Sequence, residues 1–120
     1  MYIDFWGVDC GPCLFEIEKY VPKLHEAYDN DVVFLNICVD SNEKEWKEGI
    51  TKNKVAGINL LAEGWDKNPV AKSYNISSIP HYVIINKNGT IENKNASPPS
   101  ELIRNLKNNE LNTTIKKPTD

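Results

Sequence analysis

The chain is 120 residues long, 40% hydrophobic and 26% charged, which suits one domain with helices packed on a sheet. Its formal net charge of −3 offers no basic field to a polyphosphate backbone, so nucleic acid is excluded as a partner. The longest apolar runs, such as residues 82–85, are strand-sized and too short to span a bilayer.

In chain order, residues 1–6 read as a short buried strand, with no targeting segment ahead of it. A loop over 7–9 leads to Cys10, which opens a helix with Pro12 in its first turn, where a missing N–H costs nothing. Ile17, Val21, Leu24 and Tyr28 recur at helical spacing along one apolar face, with Pro22 kinking the helix. Residues 32–39 are a nearly continuous apolar run, as in a parallel strand covered on both faces. Asn42 and Glu45 form a capping-box pattern ahead of a helix carrying Trp46 and Ile50.

Residues 57–61 read as a short strand, and 65–74 as a helix with Pro69 near its start. Residues 81–85 and 90–93 flank Asn86-Lys87-Asn88-Gly89, a hairpin signal of the Asn-Gly type. Pro98, Pro99 and Ser100 precede a last helix with Leu102, Ile103 and Leu106 on its apolar side. Beyond Leu111 the chain is polar and reads as frayed. Helices between the early strands and a late hairpin predict an α/β three-layer sandwich on a mixed sheet. No repeat divides the chain, so we expect one domain over 1–111 and a polar tail over 112–120.

Three cysteines are too few for a disulfide scaffold. Zinc generally takes four ligands, and His25 and His81 are the only histidines, with no second close-spaced pair. Cys10 and Cys13, spaced Cys-x-x-Cys at a helix start, suit unequal roles. Cys10 lies where exposed N–H groups and the macrodipole favour an anion, and thiols in such motifs reach pKa values of about 3.5–7.5. Cys13 lies one turn further in and is shielded. In thiol–disulfide exchange the outer thiolate attacks a substrate disulfide and the inner thiol resolves the mixed disulfide. Two small buried hydrophobes that happen to share this spacing are the alternative.

Two segments resemble a known family. Asp4-Phe5-Trp6-Gly7-Val8-Asp9-Cys10-Gly11-Pro12-Cys13 resembles the active-site segment of thioredoxins, D-F-W-A-x-W-C-G-P-C. Tyr74-Asn75-Ile76-Ser77-Ser78-Ile79-Pro80, followed by Val83-Ile84-Ile85-Asn86-Lys87-Asn88-Gly89, resembles the family's cis-proline loop, strand and hairpin. Glu16 matches the glutamate of C-x-x-C-x-x-E in the TlpA/ResA-like branch (redoxin, AhpC/TSA-type) of the thioredoxin superfamily. Residues 40–74 hold the extra helix and strand which that branch carries.

The resemblance implies a thioredoxin-like α/β/α sandwich lacking the first N-terminal strand or strands, as in a fragment or excised domain. Cys10 would be the nucleophile and Cys13 the resolving thiol, the two forming the only disulfide with Cys38 left free. Pro80 would be the cis-proline beside them, and the Ile79 backbone would pair with an extended substrate. Trp6 either supports the active-site loop on the substrate side or fills the core. Asp4 matches a buried carboxylate that takes the resolving thiol's proton, its pKa raised by desolvation. Glu16 would share or replace that duty. A water-exposed strand end for Asp4 and a solvated helix face for Glu16 are the alternatives.

Three positions depart from the pattern: Asp9 stands for Trp, His81 for Thr, and Asn36 for a buried lysine near the aspartate. Cys38 is either a buried strand residue or a regulatory thiol.

The function implied is a thiol–disulfide oxidoreductase needing no cofactor or metal. Gly-Pro between the cysteines resembles the reducing thioredoxins, at about −270 mV against about −120 mV for the oxidant DsbA. Its partners would be disulfide-containing protein substrates and an upstream dithiol donor. The protein would act as a monomer in the bacterial periplasm or another extracytoplasmic space. The alternative is a non-catalytic thioredoxin-fold binding module or metal chaperone with Cys10, Cys13 and His81 as ligands. A thiol peroxidase would carry P-x-x-x-T-x-x-C, which this sequence lacks.

Overall fold

The computed structural model describes residues 1–28 and 30–115. The elements are β1 (Tyr2–Trp6), α1 (Gly11–Lys19), α2 (Val21–Tyr28), β2 (Phe34–Cys38), α3 (Glu43–Asn53), β3 (Ile58–Leu61), a 3-10 turn (Trp65–Lys67), α4 (Pro69–Ser73), β4 (His81–Ile85), β5 (Ile91–Asn93), α5 (Pro99–Arg104) and α6 (Glu110–Ile115). The strands form one mixed sheet in the order β3-β2-β1-β4-β5. β1 pairs in parallel with β2, and β2 with β3, while β4 runs antiparallel to both β1 and β5.

The sheet's alternation sorts the core into two layers. Tyr2, Asp4 and Trp6 share a face with Phe34, Asn36 and Cys38 of β2 and with Tyr82 and Ile84 of β4. On that face pack Cys13, Ile17 and Val21, Leu24 and Tyr28, Leu102 and Leu111, all buried. Gly49 of α3 lies there too, against Val8 and Trp6. Ile3, Phe5, Ile37 and Val83 face the other way and are covered by Ala71 of α4 and Ile76. The result is the expected α/β/α sandwich. β1, central and buried along its whole length, carries the chain directly to Cys10.

Several expected elements shift. The single kinked helix over 10–28 is two helices, because the Pro22 ring would clash with the carbonyl of residue 18 in a continuous one. The break falls at Tyr20, which closes α1 through its N–H to Glu16 O and opens α2 by accepting Leu24 N–H. The expected 65–74 helix also divides. Asn68, extended ahead of Pro69, caps α4 by accepting Val70 N–H at 2.9 Å. In the hairpin the left-handed residue is Gly89 (φ 86°), which follows a turn closed by Gly89 N–H to Asn86 O at 3.0 Å.

The helix expected after Pro98 and Pro99, α5, ends at Arg104, which leaves Leu106 exposed. The polar tail expected from 112 begins inside a helix, since α6 spans the 111/112 boundary and buries Leu111 completely. Asparagines in and just before this helix are bonded rather than solvated: Tyr28 Oη donates to Asn112 Oδ1 at 2.6 Å, and Asn109 Nδ2 donates to Leu102 O at 2.9 Å. Residues 116–120 of that expected tail lie outside the described residues.

Candidate redox site

The site forms where β1 runs out and α1 begins. Cys10 is the N-cap of α1, extended at φ −97° and ψ 100°, and its Sγ accepts Cys13 N–H at 3.2 Å. Pro12 lies in the first turn, where no N–H is needed. The geometry brings the two sulfurs together. Cys10 and Cys13 form a disulfide with their Cα atoms 5.2 Å apart. Cys10 is half-buried and Cys13 only 1% exposed, so an approaching partner meets the outer sulfur. The Ile79–Pro80 peptide is cis, as expected, and Ile79 packs on the cluster of Trp6, Cys13 and Ile17 beneath the motif.

Beneath this cap lies a polar floor. Asp4 is buried, in register with Asn36 on one side and Tyr82 on the other. Its Oδ1 has no hydrogen-bond partner among the described residues, and neither has the Tyr82 hydroxyl. Burial pushes the Asp4 carboxyl up to about 7, and the nearby Glu16 charge adds to the rise. The same causes, burial first and then Asp4 and Glu16, raise the Tyr82 phenol.

Asn36 supplies no compensating cation. It turns instead to Ala56 O at 2.8 Å and Asn59 Oδ1 at 3.3 Å. Glu16 is not on a solvated face. It is half-buried and accepts both Ser100 N–H (2.9 Å) and Ser100 Oγ–H (2.8 Å) in the first turn of α5.

A family model described as thioredoxin-like matches residues 1–91. The chain belongs to the thioredoxin-like family. Among solved structures it is similar to that of a Bacteroides vulgatus protein named as a thiol-disulfide oxidoreductase. Identity is 33% over 93% of this chain and 72% of that one, with TM-score 0.75. The thioredoxin domain of another B. vulgatus thiol-disulfide oxidoreductase matches at 22% identity over 96% and 78%, TM-score 0.77. A secreted Mycobacterium tuberculosis disulfide oxidoreductase matches at 21% over 84% and 75%, TM-score 0.64. No curated protein matches. Family membership and the Cys-x-x-Cys centre together make this chain a thiol–disulfide oxidoreductase.

Against the thioredoxin-like pattern, some residues singled out in the sequence fall elsewhere. Trp6, expected on the substrate side, is wholly buried in the core below the motif, packed with Cys13 and Ile17. His81 pairs with Phe5 in register and meets its ring edge-on, on the face away from Cys13. Its Nε2 lies 2.6 Å from Lys94 O, so it does not converge with the cysteines. Among the described residues no group of three His, Cys, Asp or Glu is placed to hold a metal ion.

Cys38 is a free, buried strand thiol, 3.0 Å from Ser41 Oγ, and burial raises its pKa. Sequence reasoning missed Asp40. Its carboxylate accepts Val8 N–H at 2.9 Å and Asp9 N–H at 3.1 Å. The available signal was Gly7, at the place where the thioredoxin pattern has alanine.

Proposed function

We propose that this protein reduces disulfides of extracytoplasmic proteins, with Cys10 as attacking thiol and Cys13 as resolving thiol. The observation that carries the reading is the Cys10–Cys13 pair at the head of α1, one sulfur accessible and the other shielded. In the reduced protein the Cys10 thiolate attacks one sulfur of a substrate disulfide. That S–S bond breaks, a substrate thiolate leaves and takes up a proton, and a mixed disulfide remains. Cys13 then loses its proton and attacks Cys10 Sγ, releasing the second substrate thiol and closing the Cys10–Cys13 disulfide. A separate dithiol donor returns two electrons and two protons.

The second step needs a base, because a thiol 1% exposed in apolar surroundings stays protonated at neutral pH. Asp4, with its carboxyl pushed up to about 7, is suited to take that proton, and Glu16 to share it. Pro80 and the Ile79 backbone would seat the extended substrate over the sulfurs.

The reducing direction is supported by Gly11-Pro12 between the cysteines, and the TlpA/ResA-like branch by Glu16. An extracytoplasmic site of action is supported by the secreted M. tuberculosis neighbour. No helix among the described residues is long and apolar enough to cross a membrane. We take residues 1–111 as the redox domain, working as a monomer.

Insulin reduction driven by dithiothreitol tests this. The wild type should precipitate insulin chains, Cys10→Ser should be inactive, and Cys13→Ser should accumulate a covalent mixed disulfide through Cys10. Reduction that survives Cys10→Ser, or stoichiometric metal binding without reduction, would refute it.

A further inference from the structure

We propose that Asp40 is a positioning residue of the redox centre, holding from the side the peptide that leads into Cys10. The assignment rests on reading Cys10 as the attacking thiol. Between β1 and α1 lie the N–H groups of Gly7, Val8, Asp9 and Cys10, outside the helix, and buried backbone donors there need acceptors of their own. Cys10 N–H closes a turn onto Gly7 O at 3.2 Å. The two central ones go to a single side chain: Val8 N–H to Asp40 Oδ1 and Asp9 N–H to Asp40 Oδ2. Asp40 follows β2, so the clamp ties the loop to a strand 31 or more residues away in sequence. It is anchored in turn by the buried Cys38 thiol, whose Sγ lies 3.7 Å from Oδ1.

Gly7 is what makes room. A Cβ built on Gly7 would overlap the Asp40 carboxylate and lie 2.8 Å from Ile79 Cδ1. Among the described glycines only Gly57, Gly64 and Gly89 have positive φ, so the backbone at Gly7 does not itself require glycine. The space does. Gly7 and Asp40 are therefore a matched pair. With alanine at position 7, as in the thioredoxin pattern, the carboxylate would have to leave the loop.

The clamp also converges on the cis-proline loop, because the same small space is bounded by Ile79. Asp40 thus fixes the Cys10 sulfur relative to the α1 N-terminus and to the segment proposed to seat the substrate. Displacing a reacting group by about 1 Å can cost on the order of a hundredfold in rate.

The test is a double-mutant cycle on Gly7→Ala and Asp40→Ala. Its readouts are the thiolate titration of Cys10 at 240 nm and its rate with a small aromatic disulfide, corrected for thiolate fraction. Neither readout needs a protein substrate, so this assignment can fail while insulin reduction stands, and the reverse. We expect each single change to slow Cys10 roughly tenfold or more and to move its titration. Gly7→Ala should have a much smaller effect once Asp40 is alanine, because only the tip of the Ile79 side chain is then left to give way. Asp40→Asn, which keeps one acceptor oxygen, should fall between wild type and Asp40→Ala. If Asp40→Ala does not fold, the same cycle is run with Asp40→Asn, in which the Gly7→Ala effect should shrink. Effects that multiply in the double variant, or a Gly7→Ala protein with unchanged rate and titration, would overturn the assignment.

Discussion

The two ends of the disulfide rest in opposite kinds of surroundings. Around Cys10 the backbone is held by hydrogen bonds: the N–H groups of Val8, Asp9 and Cys10 each have an acceptor, and Sγ itself accepts from the helix. Beneath Cys13 the bonding is left incomplete. The Asp4 carboxyl and the Tyr82 hydroxyl are buried side by side on adjacent strands with unmade hydrogen bonds. Such groups cost roughly 1–3 kcal/mol each. The contrast fits the roles proposed for the two sulfurs. An attacking thiol needs a fixed position, and saturated hydrogen bonds hold one. A resolving thiol needs somewhere to put a proton at neutral pH. A buried carboxyl, its pKa raised towards neutrality, can provide that.

The comparison breaks most readily at Asp4. If the floor is a proton acceptor, Asp4→Asn should leave mixed-disulfide formation by Cys10 nearly unchanged and slow its resolution about a hundredfold, as measured by trapping kinetics. The same residue should govern stability. Its folded pKa of about 7 lies above the ordinary value of 3.8, so the folded state holds the proton more tightly than the unfolded chain. The Asp4 contribution to stability is then full below pH 4 and is lost as the pH rises towards 7, by on the order of 4 kcal/mol. Denaturation of the oxidised protein across that range should show the slope, and Asp4→Asn should flatten it and be the more stable form at pH 8.

Glu16→Gln should do less. Removing its charge takes away the second cause of the Asp4 rise, so the Asp4 carboxyl should titrate lower and resolution should slow only a few-fold. Resolution as fast as wild type in Asp4→Asn, Glu16→Gln and the double variant would mean that neither carboxylate is the base. Smallest of all is Asp9, which is exposed beside Cys10. Asp9→Asn should lower the Cys10 pKa by a fraction of a unit to about one unit. An unchanged titration at 240 nm would remove Asp9 from the account.

The floor was more legible in the sequence than the collar. Asp4 sits in the segment that resembles the thioredoxin active-site motif, and the cis bond at Pro80 and the capping box at Asn42 are local in sequence. Helix lengths were less legible, because Pro22 and Pro69 each serve as a helix start where the apolar period ran on past them. The polar stretch around Asn109 and Asn112 gave no sign that its amides would bond Tyr28 and bury Leu111. Trp6 could be read as loop support or core, and the sequence did not show that it is fully buried. Asp40 was invisible for a different reason. Its importance comes from two backbone groups 31 or 32 residues away, and a carboxylate in a loop carries no periodicity to mark it.

The central claim is that Cys10 and Cys13 form a reducing couple, and its most direct test is equilibration of that pair with glutathione buffers, followed by mass mapping. The account predicts a two-electron couple confined to Cys10 and Cys13, with Cys38 unmodified and a potential nearer the about −270 mV of thioredoxin than the about −120 mV of DsbA. A potential at the oxidising end, or Cys38 paired with either cysteine, would contradict it.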